Sequence, residues 1–433
     1  MGTADMLHGM LYGFGLRVGK LNPASRTFAT MFGRPDQLSV IGQCHDHTMY
    51  VAKTPARRFY FEARVNLDAQ AMVSQWYGFD TPMSGGDAYV FEVEALGAKM
   101  IYSDSTMPTV DYADPLIKAP EDLRRLKPLD PAKGRIPYSM ELARLAKQEF
   151  GGNILGADGI FCSPFSLVCQ AMGYPAVIRA MRKTPEFLHD VMQWLEDNAL
   201  IPFLKAQRDG AGAKAAIGAD AWSAFPNLTP ELIMKWVVPY SKSLIAKAKQ
   251  QLGVTATPGY AAGDYCEEDP TKFDAEIMRA CMTAGRAAMG GAPIIFLAMG
   301  RVDELPLDVV QKYAVENGKF PMTKLTIFAG LNARVLRDST PQQIAAVVRR
   351  YIDVMGRDGR FNPFLANIPA DAPPLNIHTA IQAIKTYGRY PIPANLEAVP
   401  FEIPKVEPFQ DYLQRLARAG DARAARVLSY QQT

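Results

Sequence analysis

The feature that most restricts the fold of this 433-residue chain is a recurring pair, a short and nearly all-apolar run followed by an amphipathic helical stretch. The runs are Leu38–Ile41, Asn153–Asp158, Ala215–Asp220, Val254–Thr257, Pro293–Ala298, Lys324–Ala329 and Phe364–Ile368. Strands with one wet face alternate apolar and polar residues. Runs that are apolar throughout belong to parallel strands covered on both faces. The intervening helices carry start signals at Thr184-Pro-Glu, Thr229-Pro-Glu and Thr340-Pro-Gln, each with Thr at the N-cap and Pro at the first helical position. The first of these opens a periodic run that ends near Leu204. Alternating strands and helices predict right-handed crossovers and a parallel sheet. About eight such units over roughly 350 residues favour a closed barrel over an open sheet. No Gly-x-Gly-x-x-Gly follows the first strand, as a dinucleotide-binding sheet would need.

The expected fold is therefore α/β, a (β/α)8 TIM barrel over residues 35–395. An N-terminal extension occupies 1–34 and a C-terminal tail or helix 396–433, and the stretch from about 100 to 140 reads as an elaboration of the barrel.

Composition removes several classes of function. Hydrophobic residues make up 48% of the chain and charged residues 21%, enough apolar material to offset the entropy of ordering a core. The net charge is only +3 and its cations are dispersed, so no nucleic-acid partner is expected. No apolar run approaches the roughly 18 residues of a membrane span, and the first residues lack the basic and apolar regions of a signal peptide. Five cysteines (44, 162, 169, 266 and 281) include no Cys-x-x-Cys pair and read as reduced thiols of a cytoplasmic enzyme, a monomer or homodimer.

In a barrel, chemistry gathers where strands end. Reading those ends in order gives Cys44, His45, Asp46 and His47, then Asp158, then Asp220 and Trp222. Tyr260 and Asp264, Arg301, Asn332 with Arg334, and Asn367 follow. Each could equally cap a helix or hold a loop. Asp220 has the stronger claim, because it ends an apolar strand and small residues follow it. His45 and His47 could supply two metal ligands if they shared a strand face, but no third ligand is evident, and a hydrogen-bonded loop cluster is the plainer reading. His378 sits on a helical pattern and reads as a surface or capping residue.

Several segments together resemble the uroporphyrinogen decarboxylase superfamily, which includes zinc-dependent methyltransferases acting with corrinoid proteins or coenzyme M. They are Gly156–Val168 with its Ser-Pro-Phe-Ser-Leu core, followed by Met172-Gly173, then Gly212–Phe225 with Gly-Ala-Asp220, and Thr229–Tyr240. Gly330–Leu336 with Ser339–Ile344, and Ala366–Ile377, complete the set, so the resemblance spans roughly residues 35–390. It implies a barrel with its site at the strand C-termini. It also marks departures. The arginine-bearing Met-Arg-Gln-Ala-Gly-Arg stretch that clamps the decarboxylases' substrate has no counterpart here. The strand that ends in their substrate-facing Asp is matched by Asp87–Glu94, which keeps the first acid as Asp87 and replaces the last by Glu92 or Glu94. The decarboxylase Tyr after the Pro-Phe segment is Gln170. The zinc ligands of the methyltransferase branch fall on Tyr260, Ala262 and Ala366, so no metal is expected, and Cys266 would be a ligand only under a shifted loop alignment.

What the resemblance implies is a divergent methyl or C1-group transferase acting on a small, aromatic substrate, a component of a cobalamin-dependent O-demethylation system. No tightly bound cofactor is expected. The chain has no Asp-x-His-x-x-Gly corrinoid motif, so cobalamin would arrive free or on a corrinoid protein partner. Asp220, Tyr260 and Asp87 are the catalytic candidates. His45, His47, Glu94, Asp158, Gln170, Trp222, Arg301, Asn332, Arg334 and Asn367 are the substrate-binding ones. A cofactor-free decarboxylase of a small carboxylated substrate, bound by Arg301 or Arg334, is the first alternative. A non-catalytic binding protein that has lost its metal is the second.

Overall fold

The computed structural model describes residues 3–17, 19–82, 87, 90–151, 158–259, 275–299, 307–319, 324–331, 333–365 and 367–431. Its strands are β1 (Ile41–Gly42), β2 (Met100–Ile101), β3 (Thr109–Val110), β4 (Ile160–Cys162) and β5 (Ala215–Ala219). They continue with β6 (Thr255–Thr257), β7 (Ile294–Met299), β8 (Thr326–Leu331) and β9 (Phe361–Leu365).

Strands β2 and β3 form an antiparallel pair outside the barrel, and the other strands run parallel in two arcs, β1-β9-β8-β7 and β4-β5-β6. Helices separate successive barrel strands. The first strand pairs with the last, Ile41 opposite Phe364 and Gly42 opposite Leu365. Such a wrap-around is what a (β/α)8 barrel requires and what an open doubly wound sheet does not produce. Among the described residues no ladder joins the two arcs.

Side chains alternate along each strand, so the wall has two faces. On β9, Phe361, Pro363 and Leu365 face outward against Val348, Tyr351, Ile352 and Ile384 of the covering helices. Asn362 and Phe364 therefore face the lumen, where Ile41, Phe296, Phe328 and Phe364 form an inner cluster. On β5 the outward Ala216 and Gly218 are buried, while Ile217 on the inner wall is 49% exposed. Gly218 has no room for a side chain, since a Cβ there would lie 2.5 Å from Ser163 Oγ.

The helix signals operate as expected at two of three sites. Thr229 accepts from the backbone of Leu232, and Thr340 exchanges hydrogen bonds with Gln343 in a capping box. Thr184 opens its helix without a side-chain cap. That helix runs past Leu204, continuing from Pro185–Leu195 through a π-helical turn, Glu196–Leu200, into Ile201–Ala211.

Three expectations shift, and a fourth falls largely outside the described residues. The first strand begins at Ile41 rather than Leu38, and the last begins at Phe361 rather than Phe364. Of the expected strand Asn153–Asp158, residues 153–157 lie outside the described residues, and the strand that pairs is β4, just after it. Phe91–Ala95, expected as strand, is a helical turn.

The N-terminal segment forms two helices, Thr3–Gly13 and Pro23–Phe32, packed closely because Gly9 and Gly13 present no side chain to the second. The second closes the N-terminal end of the barrel. Thr326 at the start of β8 donates to the Met31 carbonyl, and Arg360 before β9 donates to those of Phe32 and Gly33. The C-terminal helices Phe409–Arg418 and Ala422–Ser429 dock on the helix Ala63–Tyr77, where Arg423, Arg426 and Tyr430 all donate to the fully buried Asp68.

Candidate active site

Strand β1 delivers the chain directly into the helix His45–Ala52. Successive residues of a helix turn by about 100°, so His45 and His47 point to opposite sides. His47 is wholly buried: Nδ1–H donates to the Pro369 carbonyl at 3.0 Å and Nε2 accepts from the Tyr77 hydroxyl at 2.6 Å. Burial lowers its pKa to about 4. His47, expected to bind substrate, thus has both ring nitrogens engaged by Pro369 and Tyr77. His45 is buried on the other side, with no hydrogen bond to Nδ1 among the described residues. Burial lowers its pKa against the opposing pull of Asp87 and Asp46. Asp46 accepts from the Tyr60 hydroxyl.

Asp87 and Glu94 meet on one cation. Arg135, itself buried, pairs with Asp87 at 2.5 Å and with Glu94 at 2.8 Å. Its guanidinium also sits over the rings of Phe61 and Phe91. Tyr102 completes Glu94 by donating to Oε1 at 2.8 Å. Both acids, expected in catalysis and substrate binding, are thus ion-paired with Arg135. Between them in sequence, Glu92 is fully buried. Its Oε1 accepts from the Cys162 backbone at 2.7 Å, while Oε2 has no hydrogen-bond partner among the described residues. Burial pushes its pKa up to about 8, with the Asp87 charge adding to the rise.

Asp220 follows β5 directly and is buried. The Ser166 hydroxyl donates to its Oδ1 at 2.5 Å and accepts the Trp222 backbone N–H at 3.2 Å. Burial raises the Asp220 pKa to about 7 despite the opposing hydrogen bonds of Ser166 and Ser223. Cys162 lies electrostatically between the two acids, feeling both Glu92 and Asp220. Beside Asp220 the Trp222 ring stacks on Tyr174 at 5.4 Å and meets Tyr112 nearly edge-on at 6.1 Å. Gln170 is buried in the helix Pro164–Met172, which also carries Ser166.

The site thus gathers His45, Glu92, Asp220 and Trp222 around the ends of β1, β4 and β5. Asp158 does not belong to it. It precedes β4 instead of following it, at the other end of the barrel, 53% exposed at its side chain and 3.4 Å from Lys147. Arg334, on the helix Ala333–Asp338 after β8, and Asn367, after β9, are exposed at the expected end. Asn367 takes a left-handed φ of 44°. Tyr260, Asp264, Arg301, Asn332, Ala262, Ala366 and Cys266 lie outside the described residues. His378 is half-buried, its ring packed against Trp76 and Tyr77. Cys44, Cys162, Cys169 and Cys281 are buried and unbridged.

Sequence reading missed Arg135, Tyr60, Ser166, Tyr112 and Tyr174. Ser166 and Tyr174 had a signal, standing in or just after the Ser-Pro-Phe-Ser-Leu stretch. Arg135 had none, being one of several dispersed cations ahead of an ordinary helix.

A model of the uroporphyrinogen decarboxylase (URO-D) family matches residues 44–387. A methyltransferase from Methanosarcina mazei superposes with a TM-score of 0.63 at 13% identity, covering 84% of this chain and 98% of that one. A B12-independent methionine synthase from Shewanella sp. W3-18-1, in complex with selenomethionine, gives a TM-score of 0.46 at 10% identity, covering 81% and 96%. The first likeness concerns the fold alone, and no curated protein matches the sequence.

Proposed function

The chain belongs to the uroporphyrinogen decarboxylase family, and we propose from that premise that it transfers a methyl or other C1 group from a small O-methylated aromatic donor. The observation that carries this reading is Asp220, a buried carboxyl at the end of a barrel strand whose pKa lies near neutrality. Such a group holds a proton at working pH and can give it up in the transition state. When a methyl group leaves an ether oxygen, the bonding pair stays on oxygen. Asp220 delivers its proton there, the free hydroxyl departs, and the carboxylate regains a proton from water. The methyl goes to an acceptor nucleophile, for which we propose the reduced cobalt of a corrinoid arriving free or on a partner protein. The likeness to a methyltransferase fold is consistent with this reading.

The zinc ligands of related methyltransferases fall on Tyr260, Ala262 and Ala366, and alanine offers no donor atom. These residues do not fit zinc, so no step is derived through it.

The test is incubation of the purified chain with methoxyarenes and cob(I)alamin. Methylcobalamin should form, and Asp220→Asn should slow it at least about 100-fold. Carbon dioxide released from aromatic or pyrrolic acids, with no methylcobalamin, would overturn methyl transfer in favour of decarboxylation. That chemistry would use the same protonated carboxyl to quench a carbanion.

A further inference from the structure

The N-terminal helix Thr3–Gly13 has two unlike faces. Gly9 and Gly13 press one of them against the helix Pro23–Phe32, where a Cβ at Gly13 would lie 2.6 Å from the Ala29 carbonyl. Successive residues turn by about 100°, so Leu7, Leu11 and Phe14 fall on the side turned away from those glycines. The helical turn carries on to Phe14, whose backbone N–H donates to the Met10 carbonyl at 3.0 Å. With Ala4 ahead of them, these residues are spaced 3, 4 and 3 apart. That is the apolar stripe along which one helix packs on another. Leu7 is 49% exposed and Phe14 48%, Leu11 is half-buried, and Met6 and Leu16 are exposed beside them. Packing within the chain explains the glycine face and leaves the apolar stripe uncovered.

The chemistry of the stripe narrows its partner. Between Thr3 and Phe14 there is no lysine or arginine, and the one acid, Asp5, lies on the glycine side, where Asn22 and Ser25 donate to it. A helix that lies in a membrane surface carries cations on its polar face, and a polyanion would need them too. A stripe without charge meets its own copy with no like-charge repulsion, and a two-fold pair brings the same apolar residues from both sides. At roughly 200 Å² for a large side chain, Met6, Leu7, Phe14 and Leu16 leave about 400 Å² open on each copy. Pairing removes about 800 Å², and the half-buried Met10 and Leu11 bring the total to the ~1,000 Å² at which specific interfaces begin. The helix pair sits at the N-terminal end of the barrel, bonded to Thr326 and Arg360, whereas Asp220 follows the C-terminal end of β5.

We propose that two copies of this chain pair through Leu7, Leu11 and Phe14 of their N-terminal helices, in a two-fold dimer whose active-site ends face outward. Sedimentation velocity on the full chain from ~1 to ~100 µM tests it. The expected result is a species of twice the 47.7 kDa chain mass that gains population with concentration. Leu7→Glu should raise the dissociation constant at least about 100-fold, because pairing would bury an uncompensated carboxylate from each copy. Leu7→Gln, uncharged and helix-forming, should raise it about tenfold, which guards against a loss of the helix itself. Tyr50→Glu, at a side chain 62% exposed on the helix His45–Ala52, should leave the dimer intact. A chain that stays monomeric at ~100 µM, or a dimer that survives Leu7→Glu, would overturn the proposal. So would a monomer that floats with phosphatidylcholine vesicles and loses that binding in Leu7→Glu, an outcome that assigns the stripe to a membrane.

Discussion

Glu92 and Asp220 are held protonated by burial, with pKa values of about 8 and 7, while His47 and His378 are held neutral by burial, both near 4. Unfolding returns each group to its ordinary value, and stability then depends on pH through the protons taken up or released. A carboxyl with a raised pKa stabilises the fold fully below its unfolded value and loses that stabilisation as pH climbs toward the folded one. A histidine with a lowered pKa does the opposite, stabilising above about 6.5 and failing as pH falls toward 4. Between about 4.5 and 6.5 the two carboxyls lose stabilisation as pH rises while the histidines gain it, and from 6.5 to 8 the carboxyls decline alone. Thermal melts across this range check it. Glu92→Gln should remove part of that decline and stabilise the protein at pH 8 by on the order of 3 kcal/mol. A melting curve for the variant parallel to that of the parent would contradict the buried, protonated Glu92. His378→Phe keeps the aromatic packing on Trp76 and should flatten the acid limb. Activity that depends on protonated Asp220 should fall above about pH 7, which a pH–rate profile reads directly.

At the scale of elements, the two ends of the chain are attached by opposite physics. The C-terminal helices hang on one buried charge, Asp68, which receives Arg423, Arg426 and Tyr430. The arginines reach solvent, so the cluster contributes less than a fully desolvated one. Asp68→Asn should cost about 2 kcal/mol and accelerate hydrogen exchange in residues 409–429 before the barrel helices respond. The N-terminal helices are held by contact between small residues. A Cβ at Gly9 would stand 2.2 Å from the Ser25 carbonyl, so Gly9→Ala should force the pair apart at about 1–3 kcal/mol. An unchanged melting temperature would show that the pair yields without strain. These elements were legible in part. Threonine caps and proline starts are local signals, and they located the helices at 230 and 341. The helical turn at Phe91–Ala95 was misread because Ala-Tyr-Val-Phe suits a strand equally well, and only its surroundings decide between them.

For the whole molecule, Arg135 ties together regions remote in sequence. It binds Asp87 and Glu94, stacks on Phe61 and Phe91, and neutralises acids whose field reaches His45 and Glu92. Arg135→Met leaves two carboxylates facing each other without a counter-charge, which should cost about 3–5 kcal/mol. Arg135→Lys should recover part of it, because charge returns without the forked geometry. Denaturant melts of the two variants separate charge from shape. The chain's own sequence determined the barrel class, the order of strands and helices, and the place of Asp220 at a strand end, because hydrophobic period, caps and strand ends are written in neighbouring residues. Only the tertiary structure decided that His45 and His47 part company, that Asp158 lies at the wrong end, and that Asp87 and Glu94 serve Arg135. Those outcomes depend on burial and on charges brought together from distant segments, and no local pattern records either.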